Sequence, residues 1–216
     1  MRKTLALCVV FTMLAPAAVG AETVEQLLEK VKRDGECRDC DFTGADLHGV
    51  SMKGANLDEA IFRGANLEGA NLEEAYCDDG TFRGANLSKA NLRGADLSKA
   101  DLEGANLSGA DLAGTRLRRA KMAGADLSGA KADSADMDSV KLTKADLSGA
   151  SFRGANLKAA NLVGARLKGA DFRGADLWGA DFRLHAVAGG GDSNYRITKE
   201  DLDAEGALYD GTTRLN

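Results

Sequence analysis

The chain is poor in the residues that usually build a globular core or a reactive centre. Aromatic side chains make up 5% of its 216 residues, with one tryptophan, one proline and two histidines. Scarce proline combined with strict periodicity argues against a disordered Pro/Gly linker. The two histidines, His48 and His185, stand apart from each other and from the cysteines, so no set of zinc ligands has the right spacing. Neither a nucleophile elbow nor a phosphate-binding Gly-Lys-Ser/Thr loop is present. A surplus of positive charge is missing too. The formal net charge is −5, which predicts no general affinity for nucleic acid. Long apolar runs are absent: the best, Leu5 to Ala15, is too short to span a bilayer comfortably.

That short apolar run has a reading of its own. Arg2 and Lys3 precede it and Val19-Gly20-Ala21 follows, so residues 1–21 are expected to be a secretory signal peptide with the mature chain starting at Glu22. Cleavage would remove Arg2 and Lys3 and carry the charge from −5 to −7. Residues 22–36 read as a capping helix. Thr23 and Gln26 have capping-box spacing, Val24, Leu27, Leu28 and Val31 share one face, and Gly35 is a natural stop. Such a helix would cover the open first edge of whatever follows.

Cys37-Arg-Asp-Cys40 comes next. A thioredoxin-like redox motif belongs in a βαβ setting, which this chain lacks. In an exported protein a structural disulfide between Cys37 and Cys40 is the favoured reading.

What the chain has in abundance is a repeat. Residues 37–188 recur every five positions, as in Phe82-Arg-Gly-Ala-Asn-Leu87. Leu or Phe holds the centre of each pentad, and Ala stands two residues before it. A helix needs a period near 3.6 and a flat strand a period of two, so neither fits. Glycine is plentiful at 26 residues, but not at every third position, which excludes collagen. A coil with a short strand on each side and a turn at each corner does fit. A weaker period of twenty supports four sides per coil: Leu47, Leu67, Leu87, Leu107, Leu127, Leu147 and Leu167 recur without a break. Glycine follows the centre by two residues at most corners of three sides. On the fourth that position holds Glu59, Asp79, Lys99, Arg119, Ser139 and Ala159, and only then Gly179, so a different turn is expected there.

The triplet Ala-Asn/Asp-Leu, at 55–57, 65–67, 85–87, 95–97, 105–107, 125–127, 145–147, 155–157 and 175–177 among others, resembles the pentapeptide-repeat family. The resemblance implies an all-β solenoid, a right-handed quadrilateral β-helix with the centre and Ala positions inside, to which the capping signals in the sequence add short α-helical caps at both ends. The leader, helix and Cys-x-x-Cys resemble exported bacterial members. The pattern is broken at Tyr76–Gly80, Thr115, Ala132 and Val140. From Leu184 it decays, and Gly189–Gly191 is a flexible break. Thr198–Asp201 has a capping-box-like start, and Ala207–Thr213 resembles the tail that closes such arrays, so residues 189–216 are read as a C-terminal cap.

Function is less legible. Asp46, Asn66, Asn86, Asn106, Asp126 and Asp146 recur at twenty-residue spacing. They read as partners for turn and strand backbone groups, because no unique carboxylate pair stands out. No catalytic residue, cofactor or metal is expected. Charge is uneven: Glu59, Glu73, Glu74, Asp78 and Asp79 are acidic, while Arg116, Arg118, Arg119, Lys121, Lys131, Lys141 and Lys144 make the middle basic. The fourth side gathers Tyr76, Arg116, Arg118, Arg119, Lys158 and Trp178, residue types that anchor interfaces. The expectation is an exported scaffold in the periplasm or outside the cell (the thylakoid lumen in a photosynthetic organism). It would be a monomer that binds another protein and no nucleic acid. Some members of the family resemble duplex DNA and inhibit DNA gyrase, a reading opposed by the leader and the basic middle. A binder of envelope polysaccharide lacks a supporting threonine or aromatic ladder.

Overall fold

The chain turns a corner every five residues and returns above itself after twenty. The computed structural model describes residues 22–182, 202–203 and 206–215. The expected leader, the glycine break, His185 and the helix start at Thr198 lie outside the described residues.

One residue per pentad, the one before the centre, forms a parallel bridge with its counterpart twenty residues on. Asp41 bridges Ile61, Ile61 bridges Thr81, and the series runs to Asn161 and Asp181. In each bridge two amides are used. The Phe42 amide donates to the Ile61 carbonyl (2.7 Å), and the Ile61 amide donates to the Cys40 carbonyl (2.8 Å). The corner is a β-turn. The Ala45 amide donates to the Phe42 carbonyl at 3.0 Å, and the second central residue, Gly44, has φ 66°. Positive φ at that place alone is the signature of a type II turn, where glycine fits without a Cβ penalty. The same turn recurs at every described pentad from Cys37 to Leu177, which gives four sides. Side 1 carries centres Phe42, Phe62 and Phe82, side 2 Leu47 and Leu67, side 3 Met52 and Leu72, and side 4 Cys37, Leu57 and Cys77.

The two apolar positions of each pentad face inward. Leu47, Leu67, Leu87, Leu107, Leu127, Leu147 and Leu167 are fully buried, as are most of the alanines. Full burial of one such leucine contributes roughly 2 kcal/mol, and its counterparts above and below supply the packing. Phe42, Phe62 and Phe82 stack with ring centroids 4.9 and 4.8 Å apart. That is the ordinary spacing of hydrogen-bonded strands, here measured along the axis of the rod.

The breaks in the pattern have local reasons. At Gly80 a Cβ would come within 3.0 Å of the Phe82 ring and of the Cys77 carbonyl oxygen. Alanine, the usual residue there, would collide with the phenylalanine stack. Thr115 is fully buried, and its hydroxyl is satisfied by donating to the Leu92 carbonyl at 2.7 Å. Ala132 and Val140 are both buried, the first smaller and the second larger than the residue usual at its position.

Described segments lie over part of each end of the rod. The helix α1 spans Val24–Asp34. Thr23 caps it, the reciprocal bonds between Thr23 and Gln26 are both made, and Gly35 ends it at φ 71°. Leu27 and Val31 are buried in the core. At the other end the chain comes back as Leu208, bridged to Asp171, and Arg214, bridged to Asp176. The Phe172 and Leu177 amides donate to the carbonyls of Leu208 and Arg214. Edge groups that would otherwise be open to another chain are thereby occupied.

Candidate functional site

Side 4 differs from the others at its corner. The second central residue there is Asp39, Glu59, Asp79, Lys99, Arg119, Ser139 or Ala159, and all seven have φ between 51° and 61°. Gly179 completes the column at φ 75°. The expectation of a different turn on this side is therefore corrected: the turn is the same, and non-glycine residues occupy its left-handed position. The reason is the stack. The Lys99 amide donates to the Arg118 carbonyl (2.8 Å), the Arg119 amide to Asp138 (2.9 Å), and the Ser139 amide to Lys158 (2.8 Å). These bonds continue the ladder through the corner, so every coil must turn alike. Holding an ordinary residue there costs about 1 kcal/mol.

The side chains released by that corner form three columns. Glu36, Asn56, Tyr76, Asp96, Arg116, Asp136, Asn156 and Asp176 follow one another through bridges. The two turn positions supply Arg118, Lys158 and Trp178 in one column and Arg119 in the next. All six residues expected at an interaction face thus lie on side 4. Tyr76 is 54% and Trp178 62% exposed. Several of the charges are engaged within the side. Arg116 lies 3.6 Å from Asp96, Arg118 2.5 Å from Asp136, and Lys158 3.3 Å from Asp176. Lower down, Lys99 bridges Asp78 (3.1 Å) and Asp79 (2.9 Å), which raises its pKa. Ser98, Lys99, Arg118, Arg119, Asp138 and Ser139 line a shallow depression of about 300 Å³. It is open and polar, unlike the apolar cleft that encloses a small substrate.

A profile of pentapeptide repeats matches residues 36–73, 75–114, 110–149 and 150–184, in eight copies. The chain belongs to the pentapeptide-repeat family. Pentapeptide-repeat proteins are right-handed quadrilateral β-helices. They are in general structural or interaction proteins, and no catalytic family is indicated for this chain. Among solved structures it is similar to a trypsin-treated variant of QnrB1, a plasmid-mediated fluoroquinolone resistance protein. The identity is 22%, with 82% of this chain and 91% of that one covered, at a TM-score of 0.62. It is also similar to HetL, involved in heterocyst differentiation regulation in the cyanobacterium Nostoc sp. strain PCC 7120. There the identity is 30%, with 76% and 94% covered, at a TM-score of 0.44. Comparison with curated proteins gives no match.

The remaining candidates of this pentapeptide-repeat protein have structural surroundings. Cys37 and Cys40 are joined by a disulfide of 2.03 Å across the first turn of side 4. Cys37 is fully buried, with its Sγ 3.8 Å from the Leu27 carbonyl of α1. Cys77 is enclosed in the core, where burial first and the carboxylates of Asp58 and Asp96 second push its thiol pKa far up. The Asp/Asn column of side 2 serves the backbone. Asn106 accepts from the Ser108 amide at 3.0 Å and donates to Asn86 at 3.2 Å, and Asn86 donates to Asn66 at 3.2 Å. Among the described residues, no group of three or more His, Cys, Asp or Glu could hold a metal, and no helix is long and apolar enough to cross a membrane.

Proposed function

We propose that this protein is an exported scaffold that binds another protein through side 4 and performs no catalysis. The observation that carries the reading is the corner itself. Seven of its eight turns hold a non-glycine residue in a left-handed conformation that glycine adopts freely, whereas the other three sides together have four such residues, Glu74, Lys89, Ser134 and Lys144, among the described ones. Backbone strain gathered on one surface is a reason to look there for function. Alongside it stand the exposed Tyr76 and Trp178, with Arg116, Arg118, Arg119 and Lys158 on the coils between them. Tyrosine and tryptophan bury large area at little entropic cost, and arginine adds a planar fork of donors, so these residue types are enriched among the residues that dominate interface energetics.

Export rests on residues 1–21, with their basic start, apolar run and small residues before Glu22. Cell fractionation followed by N-terminal sequencing tests it. Intact protein in the cytoplasm would overturn it and revive the DNA-mimic alternative. For the docking surface, wild-type protein and a Tyr76→Ala/Trp178→Ala variant are used to capture partners from a periplasmic extract. The expected result is a captured protein that is lost with the variant. Identical capture by both sinks side 4 as the docking surface.

A further inference from the structure

Side 1 carries a feature that side 4 does not explain. Among the described bridges, two join residues of like charge: Asp126 with Asp146, and Lys121 with Lys141. Like charges directly opposite destabilise a strand pair. The acidic pair is relieved, because Arg166 above it donates to Asp146 at 2.6 Å. The lysine pair is not. Asp101, bridged to Lys121 from below, is taken by Arg83 at 3.2 Å, and Glu103 by the same guanidinium at 2.6 Å. Asn161, bridged to Lys141 from above, is neutral.

Two further bases flank the lysines. Arg119 stands at the corner leading into side 1, and Lys144 at the corner leading out, each exposed and each in the left-handed position. None of the four forms an ion pair within 4.0 Å among the described residues, whereas Arg116 and Arg118 on side 4 do. Between them the side is nearly flat. Ala123, Thr143 and Val163 occupy successive coils at the place where Arg63, Arg83 and Glu103 stand lower down, and all three are half-buried. The Lys144 stem lies 3.5 Å from where a Cβ of Gly164 would be, against the next coil.

We propose that this part of side 1, framed by Arg119, Lys121, Lys141 and Lys144, is a docking surface for a short carboxylate-rich segment of another protein. Its extent selects the partner. The basic patch is two coils tall and is bounded by Asp101 and Glu103 below and the neutral Asn161 above. A long polyanion needs a continuous basic track and would meet those carboxylates. An extended peptide segment presents carboxylates on one face at every second residue, about 7 Å apart, which suits a compact patch. The shallow floor accepts its backbone.

The test uses the full chain and a labelled peptide of alternating glutamate and serine, followed by fluorescence anisotropy. A Lys121→Glu/Lys141→Glu variant is expected to bind roughly tenfold or more weakly, and added salt to weaken the wild-type complex. A control of equal charge change elsewhere, Lys131→Glu/Lys168→Glu, should stay within about twofold. Folding is checked with Lys141→Glu alone, which turns the like-charged bridge into an opposite one, has the neutral Asn161 as its other bridge partner and should melt no lower than wild type. Equal binding by the Lys121/Lys141 variant overturns the proposal, as does equal loss in the control. Tighter binding of a DNA duplex or of heparin than of the peptide also overturns it. Lys121 and Lys141 lie off side 4, so this surface and the Tyr76/Trp178 surface stand or fall separately.

Discussion

Sides 2 and 4 share one backbone and differ in what hangs from it. On side 2 the corner residues are Gly49, Gly69, Gly109, Gly129, Gly149 and Gly169, with Lys89 the exception, and the neighbouring column holds Ser88, Ser108, Ser128 and Ser148. Its Asn and Asp side chains bond to one another and to amides two residues ahead, so polar groups are satisfied close to the chain. On side 4 the same turns carry Glu, Asp, Lys, Arg and Ser, and ion pairs across coils are more numerous than on side 2, where Lys89–Glu68 and Arg166–Asp146 are the described ones. One side spends its sequence on the fold. The other departs from the residue that suits the turn and displays large groups instead.

The largest effects should fall equally on both sides, because the core does not distinguish them. Leu107→Ala on side 2 and Leu117→Ala on side 4 remove fully buried side chains from the same kind of stack. Each is expected to cost about 3 kcal/mol in denaturant unfolding. A clear gap between the two would break the idea of a common core under unlike surfaces.

Next comes the corner, where the sides should respond in opposite directions. Gly129 has φ 64° and open space where a Cβ would go, so Gly129→Arg tests conformation alone. It should destabilise by about 1 kcal/mol, and Arg119→Gly on side 4 should stabilise by about the same amount or somewhat less. If Arg119→Gly destabilises, the side chain contributes to folding and the strain argument fails.

Smaller differences separate the polar networks. Asn86 donates to Asn66 and accepts from Asn106 and from the Ser88 amide, so Asn86→Ala should cost about 1 kcal/mol. Arg116→Ala on side 4 breaks an ion pair whose arginine is largely exposed, and about 0.5 kcal/mol or less is expected. Thermal melts of the two variants side by side read the contrast.

The subtlest effect is in titration. Burial pushes the Asp146 carboxyl up, but donation from Ser148 and the nearby Arg166 guanidinium outweigh it and hold the group below its ordinary 3.8. A depressed folded-state pKa means that stability is present above 3.8 and is lost as the pH falls through the lower folded value. NMR titration should place the Asp146 midpoint below 3.8, and Arg166→Ala should raise it. An unchanged midpoint in that variant would remove the guanidinium from the account.

The repeat made the fold legible. Ala and Leu at fixed phase gave the interior, and the recurrence of Leu47, Leu67 and Leu87 gave four sides. Thr23, Gln26 and Gly35 announced α1. The corner of side 4 was not legible, because residue preference speaks against positive φ for Lys99 or Arg119. What decides it is the amide of each corner residue finding the carbonyl of the next coil, a contact between residues nineteen apart. The gathering of Tyr76, Arg116, Arg118, Arg119, Lys158 and Trp178 on one side followed from counting in twenties. Which bases are engaged did not, since Arg118 reaches Asp136 and Arg83 reaches Asp101 by geometry that no spacing prescribes. The stacked Lys121 and Lys141 were open to the same count, and their lack of a neutralising neighbour was visible only with the pairs drawn.

The bridge between each residue and the one twenty ahead also governs how such a chain can change length. Removing twenty residues would delete one floor and leave every column aligned with itself. Removing five would rotate everything above the cut by a quarter turn, so that Trp178 stood over a different wall from Tyr76. Removing one would turn the interior outward for the rest of the rod. Surfaces of this kind can therefore be inherited, lengthened or shortened intact only in whole storeys, and any other insertion rewrites the surface above it.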